Sequence, residues 1–290
     1  GPGGLGRGLG GFDQAGRLTP RFSYDSYAYP RFSYENAGKL IRGRTSRTKH
    51  DVGCCENCAA LPLALRRFRL MLQLNNKGAA VQHSDEHITL ITPDAPLTTE
   101  THGGRAKCLQ RLVRLDLPVP RTVALSFEAV HRIAAGEAPD MQELVRGFGD
   151  EPLLCVRPSS EDPDWGGPGA VLNIGMNDAS YVVLCDRIGK PAAAELYLRF
   201  VQSFAIHVAR LDPDVFDDVS EDPSEGLGQA LRAYEEELEE PFPQDTSVQL
   251  LHVLRSMARA WEGTTARLLR QAKGAPVDAG LGLVVQEMAY

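Results

Sequence analysis

The segment Thr101–Pro120, THGGRAKCLQRLVRLDLPVP, sets the strictest terms for any fold of this chain. A Gly-Gly pair followed by a cationic side chain opens an amphipathic stretch, and Leu-Pro-Val-Pro closes it. Proline lacks the donor a helix needs and restricts the residue before it. The pattern therefore predicts a helix over Gly104–Leu115, with Leu109, Leu112, Val113 and Leu115 on its apolar side. At its start, two glycines let the backbone come close to an anion. The first-turn N–H groups point outward and an adjacent cation adds charge. Gly103, Gly104 and Arg105 are thus candidates for a phosphate site.

The pattern is orderly from about Gln82 onward. His87–Thr92 alternates and is β-branched, which predicts a strand, as does Thr122–Leu125. Ser126 is an N-cap for a helix through Ala135, and Gly136 ends it. Leu153–Val156 has the composition of a buried strand, Pro158–Gly169 that of a loop, and Ala170–Ile174 that of another strand. Pro191 suits the first turn of a helix reaching Leu211, with Leu198, Val201, Phe204, Ala205 and Val208 spaced by three and four. Asp245 caps a longer helix that carries Leu250, Leu254, Met257, Trp261 and Leu268 on one stripe and closes at Lys273-Gly274. Gly280–Met288 is a final strand. Strands and helices mix without a strict βαβ rhythm, so the expected class is α+β.

Charge divides the chain. Of the net −7, residues 1–80 contribute +8 and residues 81–290 contribute −15. An acidic folded part is a poor general nucleic-acid binder, so no specific nucleic-acid partner is expected. No apolar run reaches the length of a membrane helix, and no membrane partner is expected. Residues 1–80 form an expected low-complexity, flexible extension: a glycine-rich start, Pro-Arg-Phe-Ser-Tyr at Pro20–Tyr24 and again at Pro30–Tyr34, and a short basic amphipathic stretch at Leu61–Leu74. Met71 is the first methionine, so either a translation start near it or an Arg-rich targeting segment accounts for the region. Cys54-Cys55-x-x-Cys58, with His50 nearby, is half of a zinc motif without a second ligand pair, and metal ligands are left unassigned. Cys108, Cys155 and Cys185 sit singly in apolar patterns and read as buried thiols. Irregular cysteine spacing favours a reducing cytoplasm.

With these motifs on the page, residues 81–290 resemble the amino-terminal nucleotide-binding domain of the pyruvate phosphate dikinase family, which is related to phosphoenolpyruvate synthase. Gly103-Gly104-Arg105-Ala106-Lys107-Cys108-Leu109 through Pro120 is similar to the family's GGKGANL…LPVP. Leu153–Arg157, then Val171–Asp178, resembles VRSG…LNLGLND. Leu196–Phe216 is similar to the RRFIQMYGDVV…LF helix, Phe242-Pro243-Gln244-Asp245 to FPQD, and Val285-Gln286-x-Met288 to VQAM. The blocks fall in family order over about 205 residues, and that order is more specific than any one block.

The resemblance implies an ATP-grasp-type fold, incomplete at the C-terminus, that binds ATP with Mg²⁺. It implies a phosphoryl group passed to a histidine on a swivelling domain, and a further phosphoenolpyruvate/pyruvate domain, each in the same protein or in trans. Phosphoryl transfer depends on positioning and charge neutralisation. Arg157, at the end of a strand, can make two parallel bonds to phosphate oxygens or an ordinary ion pair. Arg105 occupies the family's lysine position, a departure that replaces a point charge by a planar fork. Lys107 either substitutes for that lysine or belongs to a solvated helix face. In the Pro158–Gly169 loop, Ser159 and Ser160 can donate to phosphate and Gly166 and Gly167 allow close backbone approach. Glu161, Asp162 and Asp164 repel phosphate unless Mg²⁺ intervenes, so the loop is either a metal-facing cover or an exposed acidic turn. Gln286 and Met288 line the nucleotide pocket or simply continue the core.

In the family, the metal-holding acidic residues and the phosphohistidine motif GGxTSHAA follow the last strand. His102 differs from that histidine in order and surroundings. The expected function is the ATP-binding portion of a dikinase-like phosphotransferase. A catalytically inactive nucleotide-binding or regulatory module of the same fold is the alternative, and a scaffold whose basic extension binds a partner is a third.

Overall fold

The computed structural model describes residues 87–289. The expectations for the flexible extension, the Pro-Arg-Phe-Ser-Tyr pair, the cysteine half-motif and Leu61–Leu74 lie outside the described residues. Within 87–289, eight α-helices accompany one five-stranded sheet. The strands are β1 (Ile88–Leu90), β2 (Thr122–Leu125), β3 (Leu154–Ser160), β4 (Val171–Ile174) and β5 (Leu281–Glu287). Their spatial order is β1-β2-β5-β3-β4, and every neighbouring pair is antiparallel. The α+β expectation holds. The last strand in sequence is central in space, which explains the apolar run Leu283-Val284-Val285: both of its faces are covered.

Strand parity divides the interior. Val123, Leu125, Val156, Leu283 and Val285 point into the larger core. Ala124 and Val284 point the other way, into a small cluster with Ile91, Ala95, Leu97 and Ala106. Ala106 belongs to α1 (Thr99–Arg114), the helix that covers this second face. The larger core is filled from α2 (Phe127–Ala135), α3 (Met141–Arg146), α4 (Asp178–Ile188), α5 (Lys190–Phe204), α6 (Pro223–Leu238) and α7 (Thr246–Glu262). Phe242 is its aromatic hub, edge-on to Tyr197, Phe200, Phe204 and Tyr234 at centroid distances of 5.2–6.0 Å. No helix among the described residues is long and apolar enough to cross a membrane.

Local signals placed α2 correctly at both ends. The Ala129 N–H donates to Ser126 Oγ, and Gly136 takes φ 109°. Elsewhere tertiary structure overrode the pattern. The helix begun at Asp245 is two helices, α7 and α8 (Thr264–Ala272), parted at Gly263, whose ψ of 139° is extended. Leu268 is consequently 60% exposed and leaves the expected stripe. The helix from Pro191 ends its α-form at Phe204. It continues as a π-turn over Ala205–Ala209 and stops at Arg210 in the left-handed region. Leu115 is the C-cap of α1, with φ −89° and ψ 12°, and is 62% exposed instead of lining the apolar side. Cys108 is exposed because it lies two positions from Ala106, on the opposite side of the helix. Cys155 is buried and Cys185 half-buried.

The stretch Pro158–Ser160, expected in a loop, is strand. Pro158, Ser159 and Ser160 pair with Leu283, Gly282 and Leu281 of β5. The partnership with β4 ends at Val156, so beyond it one side of β3 is open and a residue without an N–H is tolerated. The segment after β3 then forms a 3₁₀ turn at Pro163–Trp165, with Asp162 Oδ1 accepting from the Asp164 N–H at 2.8 Å.

Candidate functional site

Strand alternation puts Cys155, Arg157 and Ser159 on one face of β3, opposite Gln286, Val284 and Gly282 of β5. This is the face that α1 covers. The Gly-Gly turn lies within α1 itself. Gly103, at φ 81° and ψ 168°, breaks a helix that has run for one turn and restarts it at Gly104. Side chains are excluded at Gly103, because an added Cβ would stand 1.8 Å from the Ser159 carbonyl oxygen. At Gly104 a Cβ would lie 3.3 Å from the Glu161 carbonyl.

The broken helix is tied to β3 by three hydrogen bonds, one before the break and two after it. The Ala106 N–H donates to Ser159 Oγ at 3.0 Å, Ser159 Oγ donates to the His102 carbonyl at 2.6 Å, and Arg105 Nε donates to the Pro158 carbonyl at 2.8 Å. Ser159 is only 1% exposed. Arg105 and Arg157 are both exposed, and both act on the Cys155 thiol. Burial pushes that thiol up, and the two guanidiniums pull against it. Strand parity puts Arg157 on the face that α1 covers, and Arg105 reaches that strand from α1 through its bond to the Pro158 carbonyl. No carboxylate among the described residues forms an ion pair with Arg157.

The other candidates separate into distinct places. Lys107 turns away from the arginines, and its ammonium donates to the Leu97 carbonyl at 2.8 Å and to Gln110 Oε1 at 3.0 Å. Ser159 is on the arginine face, but its hydroxyl is already used in both directions. Ser160 points to the opposite face and donates to the Asp162 carbonyl at 2.9 Å. Gly166 and Gly167 rest against α7 and α8: their added Cβ atoms would stand 3.4 Å from Lys273 Nζ and 3.4 Å from the Trp261 ring. Gln286 is buried beside Cys155, and its Nε2 donates to Thr122 Oγ1 at 2.8 Å. Met288, past the end of β5, is half-buried, and its N–H donates to the Leu153 carbonyl. Gly103, Gly104, Arg105, Arg157, Ser159 and Gln286 therefore share the α1 side of the sheet, whereas Lys107, Ser160, Gly166 and Gly167 do not join the arginine corner.

Of this corner's residues, Gly282 is left out of the sequence reading, and His102 enters it only as distinct from the phosphohistidine. Gly282 faces Ser159, and an added Cβ would lie 2.6 Å from the His102 carbonyl. Its signal was available: glycine within the strand pattern Gly280-Leu281-Gly282-Leu283 marks a close backbone approach. His102 is 6% exposed. Its Nδ1 hydrogen-bonds with Thr101 Oγ1 at 2.8 Å, and its Nε2 has no partner among the described residues. Burial, and then the charge of His87, holds its imidazole below the ordinary histidine range.

Two cavities flank α2. One, of about 100 Å³, is lined by Ile88, Ile133 and Pro139, and the other, of about 330 Å³, by His131, Arg259 and Glu262. Neither includes Arg105 or Arg157. Among the described residues, no group of three or more His, Cys, Asp or Glu side chains is placed to hold a metal ion.

These features define an α+β domain that presents two arginines beside a glycine-broken helix. Comparison with known proteins gives it relatives. The chain is 29% identical over 224 residues to the pyruvate, phosphate dikinase of Rhizobium meliloti (strain 1021), covering 65% of this chain and 25% of that protein. Against the enzyme of Clostridium symbiosum the identity is 24% over 225 residues, 65% of this chain and 26% of that protein. Against the chloroplastic pyruvate, phosphate dikinase 1 of Oryza sativa subsp. japonica it is 26% over 223 residues, 65% and 24%. No family model matches the chain. The protein is a distant homologue of the pyruvate, phosphate dikinases and spans about a quarter of the length of these curated relatives.

Proposed function

We propose that this chain is the ATP-binding portion of a dikinase-like phosphotransferase, an ATP-grasp-type domain that holds the polyphosphate of ATP at Gly103, Gly104, Arg105 and Arg157. The reading rests on one observation: Arg157, on the sheet face that α1 covers, lies next to the Pro158 carbonyl that Arg105 bonds from a helix restarting at a Gly-Gly turn. The first-turn amides and the two forks supply fixed positive charge, which is what a polyphosphate needs to bind in one pose. Phosphoryl transfer demands little covalent chemistry from the protein, so positioning the γ-phosphate is this domain's contribution. The acceptor is a histidine on another domain or chain. Magnesium supplies charge neutralisation when it accompanies ATP, and this reading assigns it no protein ligand among the described residues.

Calorimetry with Mg-ATP on the wild type and Arg157→Ala tests the assignment. The substitution is expected to weaken binding by about 1.5–3 kcal/mol, as for a lost charge-assisted contact. Equal affinities would remove Arg157 from the site.

A second reading, an inactive nucleotide-binding module, draws on the environment of position 105. Arg105 Nε is held on the Pro158 carbonyl, and the nearby Lys107 ammonium is engaged elsewhere. The corner thus has a fixed fork and no lysine point charge. In a protein extended to include the histidine-bearing domain, Arg105→Lys discriminates. Phosphotransfer gained by the lysine variant and missing from the arginine form supports the module, whereas turnover by the arginine form supports the enzyme.

A further inference from the structure

The two halves of the proposed phosphate site come from distant parts of the sequence. Arg157 stands on β3, and Gly103–Arg105 forms the break in α1. The residue that joins them is Ser159. Its hydroxyl accepts from the Ala106 N–H, in the first turn of the restarted helix, and donates to the His102 carbonyl, at the end of the turn before the break. One side chain thus caps both stumps of the broken helix, from a strand 53 residues away. It works at no distance from the backbone: Gly103 and Gly282 both lack a side chain where one would strike the carbonyl of Ser159 or of His102. The adjacent bond from Arg105 Nε to the Pro158 carbonyl fixes the fork at the same junction.

We infer that Ser159 is the positioning residue of this site, setting the Gly103–Arg105 corner against Arg157 without itself touching the ligand. The inference rests on the proposed polyphosphate site and adds to it the element that holds the site together. The hydroxyl's one hydrogen is donated to the His102 carbonyl, so none is left for a phosphate oxygen. Without the hydroxyl, the Ala106 N–H and the His102 carbonyl would remain buried without these partners. The break would relax, and the first-turn amides and Arg105 would lose their register with Arg157.

The test uses the full 290-residue chain and two probes, inorganic tripolyphosphate and adenosine, by calorimetry well below the melting temperature. Ser159→Ala should bind tripolyphosphate at least about tenfold more weakly and adenosine unchanged, and Ser159→Thr, which keeps a hydroxyl, should recover most of the loss. Ser160→Ala is the control: its hydroxyl bonds the Asp162 carbonyl on the opposite face, and tripolyphosphate affinity should stay within about twofold. A purely structural role would lower the melting temperature of Ser159→Ala and leave the folded protein's preference for tripolyphosphate intact. Should Ser159→Ala not fold, Ser159→Cys keeps the volume, weakens the hydrogen bonds, and should still bind tripolyphosphate several-fold more weakly. Wild-type affinity in a folded Ser159→Ala or Ser159→Cys, with Arg157→Ala impaired, overturns this inference alone. No tripolyphosphate binding by the wild type overturns both it and the proposed function.

Discussion

At Gly103 the backbone leaves no choice of residue. Its φ of 81° lies in the left-handed region, and a Cβ would stand 1.8 Å from the Ser159 carbonyl oxygen. Either fact alone disfavours a side chain, and together they force α1 off β3. Gly103→Ala is therefore expected to cost about 3 kcal/mol or more, measured as a lowered urea midpoint. Gly136→Ala is the informative contrast. Its φ of 109° carries the same kind of strain, but nothing lies within 4 Å of an added Cβ. Its cost should stay nearer about 1 kcal/mol. Equal losses would mean that strain, not the approach of helix to strand, dictates glycine at Gly103. The same proximity explains why Arg157 on β3 and Arg105 on α1 can influence one buried thiol.

Among the elements, α8 shows what a sequence pattern cannot decide. Its two leucines, Leu268 and Leu269, face solvent, and Arg270 is the residue it buries. The guanidinium lies 3.6 Å from the centre of the Trp261 ring, and Nη1 donates to the Trp261 carbonyl at 2.6 Å. A cation over an indole plus a charge-assisted bond thus attaches α8 to α7. Arg270→Ala should destabilise the protein by about 1–3 kcal/mol, followed through tryptophan fluorescence during urea unfolding, while Leu268→Ala should change stability by less than about 0.5 kcal/mol. The reverse order would restore the apolar stripe expected from spacing. That stripe was a fair reading, because the periodicity is continuous across Gly263. The sequence does not reveal that the chain turns there to lay Arg270 on Trp261. By contrast α2 was legible at both ends, since Ser126 and Gly136 act on backbone within a few residues of themselves. For the candidate site, the parity of Cys155, Arg157 and Ser159 could be anticipated once β3 was known to be a strand. The Ser159 clasp could not, because its partners are 53 and 57 residues distant.

For the molecule as a whole, burial of neutral titratable groups fixes the pH range in which the fold is most stable. His102, His207 and His252 are all held below the ordinary histidine range, by burial first, with His87, Arg210 and Arg255 respectively adding like charge. The unfolded chain protonates them near pH ~6.5, and the native state resists until lower pH. Below that value the unfolded state binds more protons, so their contribution is complete above about 6.5 and is lost as pH falls through it. On the alkaline side, burial pushes Tyr197, Tyr234 and the Cys155 thiol up. The unfolded chain gives up those protons first, near pH ~8.5 for the thiol and ~10 for the phenols, and stability falls again as pH rises past them. Glu287 works in the opposite sense to the histidines, since burial raises its carboxyl despite Arg121 and it keeps its proton in the fold at a pH where the unfolded chain has released it. Its contribution is complete below about 4.3 and is lost as pH rises through its raised folded value, so it runs against the histidine slope rather than adding to it. The urea midpoint should accordingly be higher at about pH 7.5 than at about pH 5.5. His102→Gln, which cannot be protonated, should narrow that difference whatever it does to the midpoint at the higher pH. If the difference were as wide in His102→Gln as in the wild type, the buried imidazole beside the glycine corner would not be one of the groups that set the acid limit.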